Sequence, residues 1–452
     1  MKLENKRVFV FGTGISGISA AKLLHNIASE IIVYDGNDKL DIEEIKAKLP
    51  EDFKGRILLK DVPEGLIDSI DLLVVSPGVP TDLDLVNQFR QKQIPIWGEI
   101  ELAYYFSKGK IVGITGTNGK TTTTTLVGEI MKTYYESVFV VGNIGVPYTE
   151  NVLQTTEDSI TVAEMSSFQL ETIDTFKPNV SAILNITPDH LNRHHTMENY
   201  IAAKKNITLN QDSSDVCVLN YEDETLRKIG SELKTNVFYF SSLHNLEQGI
   251  YLEEDNIIYN DGNKKTLVCN IHELNIFGRH SYENVMAAVA CGISLSVPMD
   301  KIKEAITKFV AVEHRIEFVT TKHGVKYYND SKGTNPDASM KAIESMQTPT
   351  LLIAGGYDKG SEYDEWLETF GDKIRYLVLL GQTRDKIAET ARRHGYENII
   401  MTESLKEAVQ VCAEKANQGD SVLLSPACAS WGMFKNYEER GHLFKEYVKN
   451  LL

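Results

Sequence analysis

Cysteine is scarce in this chain. The five residues Cys217, Cys269, Cys291, Cys412 and Cys428 are scattered, odd in number and free of any C-x-x-C spacing. That pattern excludes a disulfide framework and a zinc ribbon, and leaves reduced core residues as their expected role. Long apolar runs are missing too: nothing approaches the roughly 20 apolar residues of a membrane span. Met1-Lys2-Leu3-Glu4-Asn5-Lys6-Arg7 leads straight into a strand, with no apolar signal segment or small-residue cleavage site. A cytoplasmic location without membrane insertion is expected. Positive charge is in deficit, with a formal net charge of −16, so there is no basic surface for a sequence-independent grip on nucleic acid or an anionic membrane. Any phosphate must be held locally. Short-period repeats and low-complexity tracts are absent as well.

What is there is α/β. At 452 residues and 42% hydrophobic, the length suggests about three domains, and three successive strand–helix patterns follow. The first opens with Arg7-Val8-Phe9-Val10-Phe11, passes through Gly12-Thr13-Gly14-Ile15-Ser16-Gly17 into a helical pattern at Ile18, Ala21 and Leu24, and returns as the strand Ile31–Tyr34 closed by Asp35. A further strand, Leu72–Val75, ends in Ser76-Pro77-Gly78-Val79-Pro80. Short buried strands alternating with helices predict a parallel sheet, with ligands at the strands' C-terminal ends. The second pattern begins at Ile111, and the third follows a helical stretch from Ile302 to Val310. In the third, Leu351–Gly356, Leu377–Gly381 and Val422–Pro426 are strands separated by helical segments. The segment from about 236 to 275 reads as a β-excursion outside the catalytic machinery.

The most informative stretch is Ile111-Val112-Gly113-Ile114-Thr115-Gly116-Thr117-Asn118-Gly119-Lys120-Thr121-Thr122. A β-branched strand runs through a glycine loop into a helix, the arrangement that binds a nucleoside triphosphate. Successive N–H groups turn to one anion, the helix N-terminus adds partial positive charge, Lys120 reaches the β- and γ-phosphates, and the Thr121 hydroxyl ligates Mg²⁺. Ile114 stands where the longer loop pattern has glycine, so the usable form is T-G-T-N-G-K-T. The Gly12–Gly17 loop matches a dinucleotide fingerprint with Asp35 as its acidic residue. NAD and a UDP-linked sugar present the same pyrophosphate to such a loop, and the glycines could also serve the turn alone. Further on, Thr161-Val162-Ala163-Glu164 puts a carboxylate at a strand end, well placed for a hard cation. His190 and His194 at i,i+4 would by themselves suit zinc, but Pro188 puts a helix boundary there instead of a two-ligand face.

T-G-T-N-G-K-T-T, E-M-S-S-F-Q-L, N-I-T-P-D-H-L-N-R-H, Y-I-A-A-K, E-H-R-I-E, N-D-S-K-G-T-N and L-L-S-P-A-C-A-S, read in order, together resemble the Mur ligases, and the match runs from Gly12 to Gly441. The resemblance implies an α/β fold of three domains: an N-terminal Rossmann-like domain for the UDP end of the substrate (1–108), a central P-loop ATPase-type domain (109–312) and a C-terminal Rossmann-like domain for the amino acid (313–452). The activity it implies is ATP-dependent ligation of D-glutamate to UDP-N-acetylmuramoyl-L-alanine through an acyl phosphate, by a monomer. A sister ligase adding another amino acid, or a folate polyglutamate-type ligase, shares the central loop; the N-terminal glycine unit and S-P-A-C-A-S disfavour both.

The resemblance also assigns residues. ATP is held by Gly116, Thr117, Asn118, Gly119, Lys120, Thr121 and Thr122, with Asn284, Arg315 and Asp330 at its base, phosphate and ribose. Two Mg²⁺ ions are implied, on Thr121, Glu164, His190 and Lys204, the last carried as a CO₂-derived carbamate; Lys120, Glu164, His190, Lys204 and Arg315 form the catalytic set. The UDP-linked substrate meets Ile15, Ser16, Asp35, Gly78, Asn143 and Gln169. D-glutamate meets Lys332, Thr334, Lys359, Ser430 and Tyr437. Cys428 is expected to pack and not to act as a nucleophile.

Overall fold

The computed structural model describes residues 2–143, 145–310 and 313–451; the expected domain boundary at 312 lies outside them. Three sheets are present. The first holds β1 (Arg7–Phe11), β2 (Glu30–Asp35), β3 (Arg56–Leu59), β4 (Leu72–Val75) and β5 (Ile96–Gly98) in the order β3-β2-β1-β4-β5. All four pairings are parallel. The strands are short, β-branched and mostly buried because helices cover both faces. In this order the chain reverses direction across the sheet between β1 and β4, so the Gly12 and Ser76 loops flank the crevice where such sheets bind ligands.

The second sheet holds β6 (Lys110–Thr115), β7 (Val138–Gly142), β8 (Ile160–Glu164), β9 (Val180–Ile183), β10 (Val216–Asn220), β11 (Asn236–Ser241), β12 (Gly249–Glu253), β13 (Asn256–Asn260) and β14 (Lys265–Asn270). Its order is β14-β13-β12-β11-β10-β9-β6-β8-β7. Strand β6 lies between β8 and β9, so the loops after these three strands open side by side. The segment expected as a β-excursion does form strands. Strand β11 pairs parallel with β10, and β12 to β14 continue the same sheet.

The third sheet holds β15 (Glu317–Lys322), β16 (Val325–Asn329), β17 (Thr350–Ala354), β18 (Ile374–Leu379), β19 (Ile399–Met401) and β20 (Ser421–Leu424), ordered β15-β16-β20-β17-β18-β19, with only β15 antiparallel. Separate apolar clusters cover its two faces, one around Trp366 and the other around Phe444. The helix expected over 302–310 runs instead over Met299–Lys308, and Val310 forms an isolated bridge with Asn275, which draws its backbone out of the helix. By contact density the chain divides into two compact units, Met1–Asn270 with Glu283–Thr307, and Ile271–Tyr282 with Lys308–Leu452. The first unit contains the first two sheets, which share one apolar cluster.

Candidate active site

Strand β6 delivers the phosphate loop. Gly119 caps the helix Lys120–Lys132 in the left-handed region at φ 84°, and a Cβ there would lie 2.3 Å from Asn284 Oδ1, so only glycine fits and Asn284 abuts the loop. The Asn118 N–H donates to Asn185 Oδ1 (2.8 Å), Asn185 Nδ2 donates to Asn118 O (3.1 Å), and the Thr117 N–H donates to Asn185 O (2.9 Å). The Thr117 hydroxyl donates to Thr187 O (3.0 Å), accepts from the Thr187 N–H (3.0 Å) and meets the Tyr200 hydroxyl at 3.1 Å. This differs from the expectation that successive loop N–H groups all face one anion. Those of Thr117 and Asn118 are tethered to the loop after β9, and the helix that starts at Lys120 follows directly.

Two lysines share one carbonyl of this loop. Lys120 Nζ donates to Gly116 O (2.9 Å) and Thr117 O (2.8 Å), and Lys204 Nζ donates to the same Gly116 O at 2.7 Å. Lys204 is 1% exposed. Burial, and then the neighbouring Lys120 charge, hold its amine well below the ordinary lysine range, while Asp189 and Glu164 pull the other way. Its neighbour Lys205 points elsewhere, into an ion pair with Glu232 at 2.6 Å.

Glu164 ends β8 with its side chain buried. Oε1 accepts from Asn143 Nδ2 (2.8 Å), whereas Oε2 is buried with no hydrogen-bond partner among the described residues. An orphaned carboxylate oxygen close to a phosphate loop fits a hard cation such as Mg²⁺. His190 takes a left-handed backbone at φ 54° just before the short helix Leu191–His194, with its ring edge-on to Phe168 at 5.0 Å and Nε2 3.5 Å from Asp189 Oδ2. His194 stacks on the same Phe168, and its nitrogens meet Ser167 Oγ (2.8 Å) and Glu171 Oε1 (3.3 Å). With Phe168 against both rings and both His194 nitrogens engaged, the pair does not present a two-histidine zinc face.

On the first sheet, Asp35 Oδ2 accepts from both the N–H (3.0 Å) and the hydroxyl (2.8 Å) of Thr13, so this acidic residue shapes the glycine loop from within. A Cβ at Gly17 would lie 1.9 Å from Gly12 O, whereas one at Gly14 would meet nothing within 4 Å. Ile15 is 75% exposed beside it, and Ser16 is half-buried. The loop carrying Gly78 is joined to the second sheet: Arg193 donates to Val79 O (2.9 Å) and to Glu171 (3.1 Å), and Thr81 also donates to Glu171 (3.0 Å). Gln169 is buried, and its amide closes a capping box with Ser166.

The remaining candidates lie in the second compact unit, at the C-terminal ends of β16, β20 and β17. The Asp330 carboxylate accepts from Ser425 Oγ (2.7 Å) and the Ile316 N–H (3.3 Å). Burial pushes it up to about 7, against the pull of Arg315. Arg315 Nε is buried without a hydrogen-bond partner among the described residues. Lys332 Nζ lies 5.4 Å from the Tyr437 ring, and Lys359 Nζ lies 5.4 Å from the Trp431 ring. Thr334 donates its N–H to Lys332 O (2.8 Å), and Ser430 is buried. Cys428 is buried between Tyr363 and Thr383, and burial raises its thiol, as expected of a packing residue. Glu313, His314 and His442 bring ligand-type atoms within 4.8 Å of one another. His314 Nδ1, however, accepts from Asn329 Nδ2 (2.9 Å), which leaves the ring proton on Nε2, and Lys445 already neutralises Glu313. That tautomer does not suit a metal.

Two residues of the site escape a reading of the sequence. Asn185, which holds the phosphate loop, stands in the quoted N-I-T-P-D-H run but bonds to residues 67 positions earlier in the chain. Arg440 is a buried cation on the same helical face as Phe444 and Val448, and a charge in register with an apolar stripe is the signal that could have found it.

Three family models match the chain: Mur ligase MurD-like, N-terminal domain, over 6–98; Mur ligase middle domain over 114–292; and Mur ligase, glutamate ligase domain, over 314–428. Among curated proteins, the UDP-N-acetylmuramoylalanine-D-glutamate ligases of Lachnoclostridium phytofermentans and Lachnospira eligens are 63% and 56% identical to it, each over 451 residues, covering 100% of this chain and 99% and 100% of theirs. A solved UDP-N-acetylmuramate-alanine ligase from Thermotoga maritima is similar in fold, with a TM-score of 0.59 at 20% identity, covering 98% of this chain and 99% of that one. Full-length identity of this order, three matching domain models in sequence and the shared three-domain α/β fold lead to one conclusion: the chain belongs to the Mur ligase family.

Proposed function

We propose that this chain joins D-glutamate to UDP-N-acetylmuramoyl-L-alanine with cleavage of ATP, in the cytoplasmic assembly of peptidoglycan precursors. The observation that carries the reading is a buried constellation: the Lys204 amine on the Gly116 carbonyl of the phosphate loop, beside Lys120, with a Glu164 oxygen that has no hydrogen-bond partner among the described residues. The names of the relatives at 63% and 56% identity supply the substrates. Domains over 1–108, 109–312 and 313–452 and a monomeric enzyme belong to the same proposal.

The chemistry follows from the acceptor's carboxylate, which an amine cannot displace directly because oxide is too poor a leaving group. Transfer of the γ-phosphoryl group of ATP to that carboxylate gives an acyl phosphate and ADP. The neutral amine of D-glutamate adds to the carbonyl carbon, and the tetrahedral intermediate expels phosphate as the amine loses its proton. Lys120 leaves the loop carbonyls to neutralise the β- and γ-phosphates, and Arg315 offers a planar fork to the transferring group. Thr121, Glu164, His190 and Lys204 as its carbamate would hold Mg²⁺, which when bound neutralises the crowded phosphate oxygens. Lys204 is suited to its part: a depressed amine is neutral and keeps the lone pair that attacks CO₂, and loss of one proton then leaves an anionic carbamate with oxygen donors. Ile15, Ser16, Asp35 and Gly78 bind the UDP end, Asn143 and Gln169 the sugar and peptide. Asn284, Arg315 and Asp330 bind ATP, and Lys332, Thr334, Lys359, Ser430 and Tyr437 the two carboxylates of D-glutamate.

The test is phosphate release assayed with D-Glu, L-Glu, L-Lys and L-Ala. Release that requires both UDP-N-acetylmuramoyl-L-alanine and D-glutamate is expected. Preference for L-Lys would make the chain a sister ligase, and release without an acceptor would sink the reading.

A further inference from the structure

Arg440 lies in the helix Tyr437–Lys449 and is 2% exposed. A guanidinium at that depth ordinarily bonds a carboxylate, but among the described residues its hydrogen bonds go to neutral oxygens, and the Asp330 carboxylate acts on it only as a nearby charge. Nε donates to Ser331 Oγ (2.9 Å), Nη2 to Ser331 O (2.7 Å) and Nη1 to Cys428 O (3.2 Å). Burying a cation on neutral acceptors costs free energy that an apolar side chain in this helical stripe would not. Packing alone therefore does not account for an arginine at this position.

The acceptors explain it. Ser331 follows β16 and Cys428 follows β20, and Ser331 Oγ, while accepting from Arg440, donates to Tyr437 O at 2.8 Å. One planar fork thus ties together three segments of chain. Those segments carry Lys332 and Thr334, Ser430, and Tyr437, which are four of the five residues proposed above for D-glutamate. Each lies within three positions of an atom bonded to Arg440 or to Ser331.

We infer that Arg440 is a positioning residue that sets the spacing of the D-glutamate pocket without touching the amino acid. The inference rests on the D-glutamate reading. Lysine carries the same charge but cannot reach a hydroxyl and two carbonyls from one plane. Arg440→Lys should therefore raise KM for D-glutamate at least about tenfold, since small displacements of positioning groups are costly, while KM for ATP and for the UDP-linked substrate stays within about threefold of wild type. Ser331→Ala removes only the hydroxyl link and should raise KM for D-glutamate about threefold or more. If Arg440→Lys does not fold, Ser331→Ala decides. An unchanged KM for D-glutamate in the folded variants, or an equal rise in all three KM values, overturns the inference. Wild-type protein run in parallel separates the two claims: failure to turn over D-glutamate there refutes the proposed function, whereas normal turnover with an unmoved variant refutes the clasp alone.

Discussion

Replacing Asn185 with alanine tests how the phosphate loop is held. The substitution removes two neutral hydrogen bonds, Asn118 N–H to Oδ1 and Nδ2 to Asn118 O, and leaves the third, Thr117 N–H to Asn185 O, because that acceptor is main chain. At about 1 kcal/mol net for each bond lost, the loop loses about 2 kcal/mol of ordering. If all of that falls on ATP, its KM rises about thirtyfold, at roughly 1.4 kcal/mol per factor of ten. Any share absorbed by the unliganded fold appears instead as a lower thermal midpoint. Asn185→Asp keeps an acceptor for Asn118 N–H but sets an anion against Asn118 O and close to the phosphates, so it should be worse than alanine. The assay is phosphate release against ATP concentration at saturating acceptor and D-glutamate, with KM for the UDP-linked substrate as the internal control. An ATP KM within twofold of wild type in both variants, at unchanged melting temperature, would refute the reasoning.

Four further outcomes are expected. Lys120→Ala should lower ligation by at least about a hundredfold while calorimetric titration shows the UDP-linked substrate bound as before; equal loss of both would refute the separation of the two nucleotide sites. Gly14→Val should fold normally, since Gly14 has φ −70° and open space around its Cβ position, yet weaken the UDP-linked substrate with little change at ATP; tight NAD binding with which that substrate failed to compete would contradict this. Lys204→Ala should be nearly inactive and partly rescued by a short carboxylic acid, and full activity in CO₂-depleted buffer would make the lysine a bystander. Asp330 has a folded value of about 7 against an ordinary 3.8, so the folded state binds more protons than the unfolded one between those values and its stability contribution is lost as pH rises from about 4 to 7. Asp330→Asn should show a flatter fall in melting temperature over that window, and parallel curves would refute the burial argument.

The strands named from the sequence (β1, β2, β4, β6, β8, β17, β18 and β20) were legible because each is a short apolar run ending at a glycine or a polar turn, a local signal that needs no tertiary information, whereas β3, β7, β9, β10, β16 and β19 were not singled out. The same holds for the phosphate loop, where Gly-Lys-Thr chemistry is written in consecutive residues. Asn185 was not legible, since nothing near it in sequence marks it as the partner of a loop on another strand. Gln169 shows a different limit. The residues Ser166-Ser167-Phe168-Gln169 spell a capping box, and the local structural role is the one its amide fulfils, beside the substrate role that resemblance gives it. Burial of Lys204 could not be read either, because the helix Met197–Lys205 carries charges on both flanks and only its packing against the phosphate loop removes one of two adjacent lysines from water.

The five cysteines, all buried and none in a disulfide, bear on how the molecule could be watched. Burial pushes the thiols of Cys217 and Cys291 up to about 12 and raises those of Cys412 and Cys428, so hardly any thiolate of these four exists at neutral pH for an alkylating reagent to meet, and Cys269 is fully buried. A maleimide dye would find almost no native target. Cysteines introduced at exposed positions, one in each compact unit, would then be the reactive pair, and the native enzyme could carry a donor and an acceptor fluorophore without first being stripped of its own sulfur.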